Sequence, residues 1–233
     1  MRKKENHHTK VAVIPARGGS TRLIDKNIYP LKGKPLVCYA LESVLQSECF
    51  DTVILSTDSQ KIADAASPYD VEIHWRSPRY ATARVTVLEA MLALMEEIPG
   101  HDIFAYFLPT CPLCNADDIR QGLGLLTEDA DSVISVVEYS DPIQLALIVR
   151  NNNAFPVFDN LTSGMTNSKY FNTYYRPNGA FYMSWWDKLK KNRNFFVNNV
   201  KAHIMPKTRS IDINDATDIL IAESMLEKNP LER

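Results

Sequence analysis

The sequence predicts an α/β fold built on a mostly parallel, doubly wound sheet. Apolar stretches of strand length alternate with amphipathic stretches of helical length as far as residue 139, which is typical of βα repeats. The apolar stretches are nearly continuous, as in strands that helices cover on both faces. The chain has 233 residues, 45% hydrophobic and 23% charged, which suits one such domain over residues 1–233.

Each element follows from a local pattern. The predicted strands are residues 11–16 (VAVIPA), 51–58, 71–76, 103–109 and 132–139. The predicted helices, in which apolar residues recur at helical spacing, are residues 35–48, 60–66, 85–97 and 116–126. Because ligands of parallel sheets bind where the strands end, we expect the site in the loops that follow these strands.

The pattern changes between residues 141 and 186. This segment is polar and irregular at first and then rich in Phe, Tyr and Trp from Phe171 to Trp186. Aromatic side chains at that density need a surface to bury against. We therefore predict that the segment mediates dimerisation rather than forming further βα units, the alternative being a floppy surface loop. A last strand is predicted at residues 202–213 and a last helix at 215–228, with Asp215 as its N-cap.

The bulk composition excludes several classes of partner. The 26 Lys and Arg against 28 Asp and Glu give a net charge of −2, which favours neither nucleic acid nor a membrane surface. The first ten residues are polar and basic, and no apolar stretch follows that could act as a signal peptide or a membrane span. We therefore expect a cytoplasmic protein.

The four cysteines, Cys38, Cys49, Cys111 and Cys114, do not form the pattern of a disulfide framework. A zinc site at the C-x-x-C of Cys111 and Cys114 would need two further ligands, and the histidines supply none at matched spacing. A redox dithiol is an alternative, because the pair follows a strand. We expect reduced, partly buried thiols.

The loop after the first strand carries the strongest functional pattern. Adjacent glycines permit a tight turn in which backbone N–H groups converge, a geometry that suits phosphate. Cations beside them would neutralise a triphosphate and a leaving pyrophosphate. We predict a phosphate-binding loop from Arg17, Gly18, Gly19, Ser20, Arg22 and Lys26. The alternative is an ordinary strand-to-loop turn whose cations face water.

This loop matches neither the Walker nor the dinucleotide-binding glycine pattern. It resembles the loop of the acylneuraminate cytidylyltransferase (CMP-sialic acid synthetase) family, A-R-G-G-S followed by K-N and L-x-G-K-P-L. The matching residues are Ala16-Arg17-Gly18-Gly19-Ser20, Lys26-Asn27 and Leu31-Lys32-Gly33-Lys34-Pro35-Leu36. Ser20-Thr21-Arg22-Leu23 is also similar to the loop of the related CMP-Kdo synthetases. The resemblance implies a Rossmann-like nucleotidyltransferase fold.

The resemblance also implies roles on the nucleotide side. It implies that Arg17 and Lys26 act as catalytic cations on the triphosphate of CTP, with Arg22 in place of a family lysine. The backbone of Ala16, Gly18, Gly19 and Ser20 would approach the base and the phosphates, and Asn27 would approach the ribose.

Residues 76–83 resemble the family motif R-P-x-x-L-A-x-D, whose arginine contacts cytosine. Arg76 is retained, Thr82 keeps a hydrogen-bonding side chain, and Ala83 replaces the aspartate. The alternative for Arg76 is a solvated strand end.

Residues 211–214 resemble the family motif I-D-I-D, in which two carboxylates share one face of a strand. Asp212 is kept, whereas Asn214 stands in place of the second carboxylate. The resemblance implies that Asp212 and Asn214 bind Mg²⁺, a cation that prefers hard oxygen ligands beside phosphate oxygens. Two possibilities stay open: Asp215 compensates for Asn214, or Asp212 and the nucleotide hold most of the metal.

The sugar side departs furthest from the family. Leu108 stands where the family has a sugar-binding glutamine, and Cys111 and Cys114 stand where it has Ser and Arg. A family segment rich in arginine survives only as Tyr175-Arg176-Pro177-Asn178-Gly179. The resemblance leaves Lys169, Tyr175 and Asn178 as the predicted sugar-binding residues, with Lys169 near the sugar carboxylate.

We therefore predict a CTP-dependent cytidylyltransferase that forms a CMP-activated acidic sugar of the sialic, legionaminic or pseudaminic acid type and works as a homodimer. An enzyme of the CMP-Kdo type, or one acting on another sugar, is the first alternative. The second is a non-catalytic nucleotide-binding relative, which the replacements at Ala83, Leu108 and Asn214 keep open. Sialic acid activation in this family serves cell-surface polysaccharide synthesis, and we expect that role here.

Overall fold

The structure is a computed structural model that describes residues 8–20 and 23–228. Its strands, in chain order, are β1 Lys10–Pro15, β2 Pro30–Leu31, β3 Lys34–Pro35, β4 Thr52–Thr57, β5 Glu72–Trp75, β6 Ile103–Phe107, β7 Ser132–Glu138, β8 Leu147–Arg150, β9 Asn153–Pro156, β10 Tyr175–Trp185 and β11 Val200–Ile204. Its α-helices are α1 Leu36–Ser47, α2 Gln60–Ala66, α3 Val87–Glu97, α4 Ala116–Gly124, α5 Asp159–Thr162, α6 Trp186–Asn192 and α7 Ala216–Lys228.

Seven strands form the main sheet, in the order β11-β7-β10-β6-β1-β4-β5. All neighbouring pairs are parallel except those of β10, which runs antiparallel to both β6 and β7. This mostly parallel sheet confirms the predicted fold class. The nine strands and helices predicted before residue 140 are all present, with boundaries within two residues of the prediction.

Helices cover both faces of the sheet. Along β1, Ala12 and Ile14 pack on the face that α1, α2 and α4 cover, whereas Val11 and Val13 pack on the face that α3 and α6 cover. All four side chains are fully buried. Because side chains alternate between the two faces of a strand, burial on both faces requires the nearly continuous apolar run seen in the sequence.

The helix starts nearest the sheet edge are fixed by local side-chain bonds. Thr86 and Glu89 form a capping box at the start of α3, and Asn115 and Asp118 form one at the start of α4. Each box satisfies N–H groups that the first helical turn leaves without a partner. Each cap fixes the residue at which its helix begins, and so limits the loop that joins the helix to the preceding strand.

The segment predicted as a dimerisation insertion, residues 141–186, contains a strand of the main sheet in its C-terminal part. Residues 175–185 form β10, which lies between β6 and β7 near the middle of the sheet. Phe181 is fully buried in the core, and Trp186 is nearly so. Much of the aromatic density therefore fills the interior of this domain. The sequence pattern did not reveal β10, because irregular residues precede it and because an antiparallel strand does not belong to a βα repeat.

The part of the segment that does leave the sheet is shorter. It contains the β8–β9 hairpin, the four-residue α5 and a 3₁₀ turn at Ser168–Tyr170. Every residue of β8 and β9 is exposed. An isolated two-stranded hairpin is marginally stable in water, so this hairpin is an element that further packing would stabilise.

The predicted strand at residues 202–213 is correct only at its start. Strand β11 ends at Ile204, a 3₁₀ turn follows at Lys207–Arg209, and residues 210–214 belong to neither a strand nor a helix. Pro206 lacks the N–H that a further ladder bond would need. The predicted N-cap of the last helix is confirmed: Asp215 Oδ1 accepts hydrogen bonds from the N–H groups of Thr217 at 2.9 Å and Asp218 at 3.2 Å.

The cysteines are free thiols, as predicted, and Cys38, Cys111 and Cys114 are buried. The Cys111 Sγ lies 3.1 Å from the carbonyl oxygen of Asn178, and burial raises the pKa of both Cys111 and Cys114. A raised pKa keeps a thiol protonated and unreactive. Over the residues that the structure describes, no helix combines the length and apolarity that crossing a membrane would require.

Candidate active site

A cavity of about 290 Å³ opens at the edge of the sheet where β1 and β6 end. Three cations line one part of it, Arg17, Lys26 and Arg76, together with Asp212 and Asn214. The rest of the wall is mainly apolar and comes from three other stretches of chain, with lining residues Pro15, Tyr80, Val85, Val87, Ala90, Leu108 and Pro109. The prediction that the site lies at the carboxyl ends of the strands is consistent with this position.

The loop after β1 is held in place by two bonds. The Asn27 side chain donates from Nδ2 to the carbonyl oxygen of Arg17 at 2.9 Å. The backbone N–H of Gly18 donates to Asp58 Oδ1 at 2.7 Å. Asn27 is buried, and it lines the cavity together with Arg17 and Ser20. Arg22 lies outside the described residues.

The role expected of the glycines needs correction. We expected their backbone N–H groups to converge on phosphate, but the Gly18 N–H is engaged by a carboxylate. A Cβ at Gly18 would lie 3.0 Å from the Cβ of Ser59, whereas a Cβ at Gly19 would meet no atom within 4 Å. Gly18 is therefore required by the close approach of the β4–α2 loop. Among the loop residues that the structure describes, Arg17 and Lys26 bring positive side chains to the cavity.

Lys26 connects the loop to the opposite wall. It begins a short 3₁₀ turn at Lys26–Ile28, and its Nζ donates to the carbonyl oxygen of Ile213 at 2.8 Å. Ile213 lies between the two predicted metal ligands in the sequence. This bond places the ammonium beside the segment that carries Asp212, although residues 26 and 213 are far apart in the chain.

Arg76 is a buried cation with a fixed orientation. Its Nη2 donates to the carbonyl oxygen of Ser56 at 3.0 Å, and its Nε donates to the Ser56 hydroxyl at 3.3 Å. Burial lowers the pKa of the Arg76 guanidinium; the charge of Asp58 raises it, and that of Arg17 lowers it again. Only 8% of Arg76 is exposed, which excludes the solvated strand end that was the alternative interpretation.

Asp212 and Asn214 are adjacent, although not on a strand. The Asn214 Nδ2 donates to Asp212 Oδ2 at 3.0 Å and to the Asp212 carbonyl oxygen at 3.2 Å. The N–H of Ile213 donates to the carbonyl oxygen of Thr110 at 2.8 Å, which docks the segment on the loop after β6. We expected the alternation of side chains along a strand to place Asp212 and Asn214 on one face. The segment is not a strand, but both side chains still line the cavity.

The same segment is anchored on its other side by a buried ion pair that the sequence analysis missed. Asp118, 2% exposed, accepts bonds from Arg209 Nη2 at 2.9 Å, Arg209 Nε at 3.1 Å and, at 3.2 Å, the His203 ring. Burial alone would raise the pKa of Asp118, but the bonds from His203, Arg209 and the Asn115 N–H hold it below its usual value. The N-x-x-D pattern of a helix cap, Asn115 to Asp118, was the only sequence signal, and it gave no hint of Arg209.

Several predicted ligand residues do not line the cavity. Ala16 is fully buried, with its N–H bonded to the Ser56 carbonyl oxygen at 2.9 Å, and Thr82 is exposed on the loop before α3. Lys169 and Tyr175 are exposed on the segment between β9 and β10 and at the start of β10. The structure brings none of these four to the cavity wall.

Asn178 was predicted to bind the sugar, and this prediction is wrong for the structure as it stands. Asn178 is 1% exposed, and its Nδ2 lies 2.9 Å from Ser210 Oγ and 3.1 Å from Met205 Sδ. Its Oδ1 accepts a bond from the Ala180 N–H at 3.1 Å. The side chain therefore joins the irregular part of β10 to the segment before Asp212, in the interior.

Comparisons with known proteins show which family the chain resembles. A family model described as cytidylyltransferase matches residues 11–172. An N-acylneuraminate cytidylyltransferase of Escherichia coli is 30% identical over 223 residues, which are 94% of this chain and 52% of that protein. A CMP-N,N'-diacetyllegionaminic acid synthase of Legionella pneumophila is 31% identical over 232 residues, 94% of this chain and 97% of that one. The chain thus spans about half of the first relative and nearly all of the second.

The fold comparison adds a solved structure. A CMP:2-keto-3-deoxy-manno-octonic acid synthetase complexed with CTP superposes with a TM-score of 0.71 over 95% of this chain and 99% of that chain. The sequence identity is 16%, so this likeness concerns the fold.

Proposed function

The chain belongs to the cytidylyltransferase family, and from that premise we propose that it transfers the CMP group of CTP to a hydroxyl of an acidic sugar of the nonulosonic class, with release of pyrophosphate. The observation that carries the proposal is the cavity in which Arg17, Lys26 and Arg76 face Asp212. Three cations and one carboxylate from three separate stretches of chain meet at the sheet edge where parallel α/β folds bind ligands.

The cations fit the charge changes of this reaction. The sugar hydroxyl gives up its proton to solvent and its oxygen forms a bond to the α-phosphorus, while the bond from that phosphorus to the bridging oxygen breaks and pyrophosphate leaves with the electron pair. Negative charge accumulates on the leaving group, so positive side chains fixed beforehand lower the barrier. We assign this role to Arg17 and Lys26. We assign the nucleobase to Arg76, whose orientation is fixed by Ser56.

Mg²⁺ fits the donor set as a cation shared with the nucleotide. Among the described residues, no group of three or more His, Cys, Asp or Glu side chains could hold a metal ion. Asp212 offers one carboxylate and Asn214 one amide oxygen, both hard ligands, and Mg²⁺ commonly takes one or two carboxylates with phosphate oxygens and water. We propose that Asp212 and Asn214 hold it there, where it would neutralise phosphate charge.

Two substitutions test the metal proposal. Asp212→Asn should lower the turnover rate severely at limiting Mg²⁺, because two neutral amides would remain. Asn214→Asp should lower the Mg²⁺ concentration needed for half-maximal rate without abolishing turnover, unless repulsion between the two carboxylates raises one pKa enough to offset the gain. Rate measured against Mg²⁺ concentration distinguishes these outcomes. Normal turnover by Asp212→Asn at limiting Mg²⁺ would place the metal elsewhere.

The proposed reaction is tested by pyrophosphate release. Purified protein is supplied with Mg²⁺, one of CTP, UTP, GTP or dTTP, and one sugar from a panel that includes sialic, legionaminic, pseudaminic and Kdo acids. We expect release that requires both CTP and a nonulosonic acid. Turnover with Kdo alone would favour the CMP-Kdo type, for which the CTP-bound structural neighbour gives only a likeness of fold. CTP binding with no turnover on any sugar would favour the non-catalytic relative.

We further propose a homodimer formed through the β8–β9 hairpin. Leu147, Ile148, Val149 and Phe155 on this hairpin are 46–65% exposed. Apolar side chains grouped on an exposed two-stranded element are typical of an interaction surface. Lys169 and Tyr175, the remaining predicted sugar contacts, follow on the same exposed segment, and their role stays a prediction. The cytoplasmic location and the role in surface polysaccharide synthesis also stay predictions.

A further inference from the structure

A string of hydrogen bonds runs from the cavity to the protein surface behind it. Arg76 Nε donates to Ser56 Oγ at 3.3 Å, Ser56 Oγ lies 3.0 Å from His74 Nδ1, and His74 Nε2 lies 2.9 Å from Glu97 Oε2. Ser56 on β4 and His74 on β5 are register partners in the parallel pair. His74 lies on β5, and Arg76 follows the last residue of that strand.

One arrangement of protons gives every bond in this string a donor and an acceptor. A guanidinium has N–H donors and no acceptor, so the Ser56 oxygen accepts from Arg76, and its own proton can point to His74 Nδ1. In that arrangement Nδ1 accepts, the neutral ring carries its proton on Nε2, and that N–H donates to Glu97.

The burial of each member agrees with a positioning role. Ser56 is 1% exposed and Arg76 is 8% exposed. The His74 side chain is 15% exposed and that of Glu97 is 49% exposed. From Ser56 outward the polar groups become more exposed, and the string ends at a solvated carboxylate. The two bonds from Arg76 to Ser56 use two of the five N–H donors of the guanidinium and leave the others for a ligand.

We propose that His74 and Ser56 are positioning residues that orient the Arg76 guanidinium for the nucleotide, with Glu97 fixing the histidine tautomer. The inference rests on the proposed function for the role of Arg76. Its mechanism is orientation: without an acceptor at His74 Nδ1, the Ser56 hydroxyl can turn, and its bond to Arg76 Nε is no longer favoured. The cost should appear in nucleotide affinity, because none of the three residues touches the cavity.

The kinetic test uses His74→Leu and Ser56→Ala, with pyrophosphate release measured against CTP concentration. Loss of one neutral hydrogen bond behind a charged ligand group should raise KM for CTP about fivefold, with kcat changed less than about twofold. His74→Asn should restore most of the affinity, because its amide oxygen can take the place of Nδ1. Glu97→Gln should have a smaller effect, and Glu96→Gln, a neighbour on α3 that pairs with Lys190, should have none. If His74→Leu and Ser56→Ala keep the wild-type KM, the inference is wrong.

A second readout does not depend on activity. Nitrogen-15 spectra of the histidine rings at a pH of about 8, above the range in which imidazoles ordinarily titrate, report the neutral tautomer directly. We expect His74 to be protonated at Nε2 in the wild type and to lose that fixed state in Ser56→Ala. Protonation at Nδ1 would overturn the inference. If the wild type shows the Nε2 form but no turnover of CTP, the proposed function fails while the hydrogen-bond string stands.

Discussion

The Asp118→Asn substitution tests whether the buried ion pair anchors the segment that carries Asp212. In the wild type, the Asp118 carboxylate accepts from Arg209 twice, from His203 and from the Asn115 N–H. An asparagine keeps one oxygen but turns an NH₂ group toward donors, and leaves the Arg209 charge without its partner. Breaking a buried pair from one side costs about 3–5 kcal/mol. Since the Arg209 side chain is 25% exposed, we expect a loss near the lower end, about 3 kcal/mol.

The assay is urea unfolding at several pH values, with Asp117→Asn as the matched control. Asp117 precedes Asp118, is 72% exposed and pairs with Arg120 on the surface, so its loss should cost at most about 0.5 kcal/mol. A loss of about 3 kcal/mol corresponds to a fall in Tm of about 6–12 °C for a chain of this size.

The pH dependence has a definite sign. The folded-state pKa of Asp118 is lowered, so its contribution to stability is complete above the ordinary carboxyl pKa, about 4, and is lost as the pH falls through the folded value. The difference between the wild type and Asp118→Asn should therefore be constant near neutral pH and close below about pH 4. Equal stability of Asp118→Asn and Asp117→Asn at pH 7 would refute the reasoning, as would a gap that persists at low pH.

Two further predictions concern packing and assembly. Gly122→Ala should lower the free energy of unfolding by about 1–3 kcal/mol, because the new Cβ would lie 2.5 Å from Cζ of the fully buried Phe181. The control is Gly124→Ala, whose new Cβ meets nothing within 4 Å and which should be neutral or stabilising. Equal effects of the two substitutions in urea unfolding would contradict this account. Val149→Asp, at a side chain 65% exposed on the β8–β9 hairpin, should convert a dimer to a monomer in sedimentation without changing monomer stability; a wild type that already sediments as a monomer at micromolar concentration would rule out the dimer.

The nine elements predicted before residue 140 could be identified because local patterns determine them. Most of their strands are apolar runs and their helices are amphipathic, so periodicity and composition agree. The two-residue strands β2 and β3 are too short for such a pattern. Strand β10 could not be identified in this way, because its position between β6 and β7 depends on partners far away in the chain. A long exposed segment, which includes the β8–β9 hairpin, precedes β10, and no turn pattern in the sequence marks the start of that strand.

In the candidate site too, residues on local motifs could be predicted and contacts between distant elements could not. Arg17, Lys26, Arg76 and Asp212 lie on segments that carry recognisable motifs, and the structure brings all four to one cavity. What the motifs could not show is what holds each group: Ser56 behind Arg76, and the Asp118 pair behind the 207–214 segment. These supports are side-chain contacts between distant elements, which have no local pattern. Asn178 shows the reverse case, because a motif residue is used for internal packing.

The central claim is that the cations of this cavity hold the triphosphate of CTP during transfer, and Lys26→Ala tests it most directly. The measurement is pyrophosphate release from saturating CTP in the presence of Mg²⁺ and the accepted sugar. Lys34→Ala is the control, because Lys34 lies outside the cavity and pairs with Glu42. We predict that Lys26→Ala lowers the rate by about 10²–10³-fold, the usual effect of losing one electrostatic donor, while Lys34→Ala keeps it. A wild-type rate for Lys26→Ala would contradict the assignment of this cavity as the CTP site.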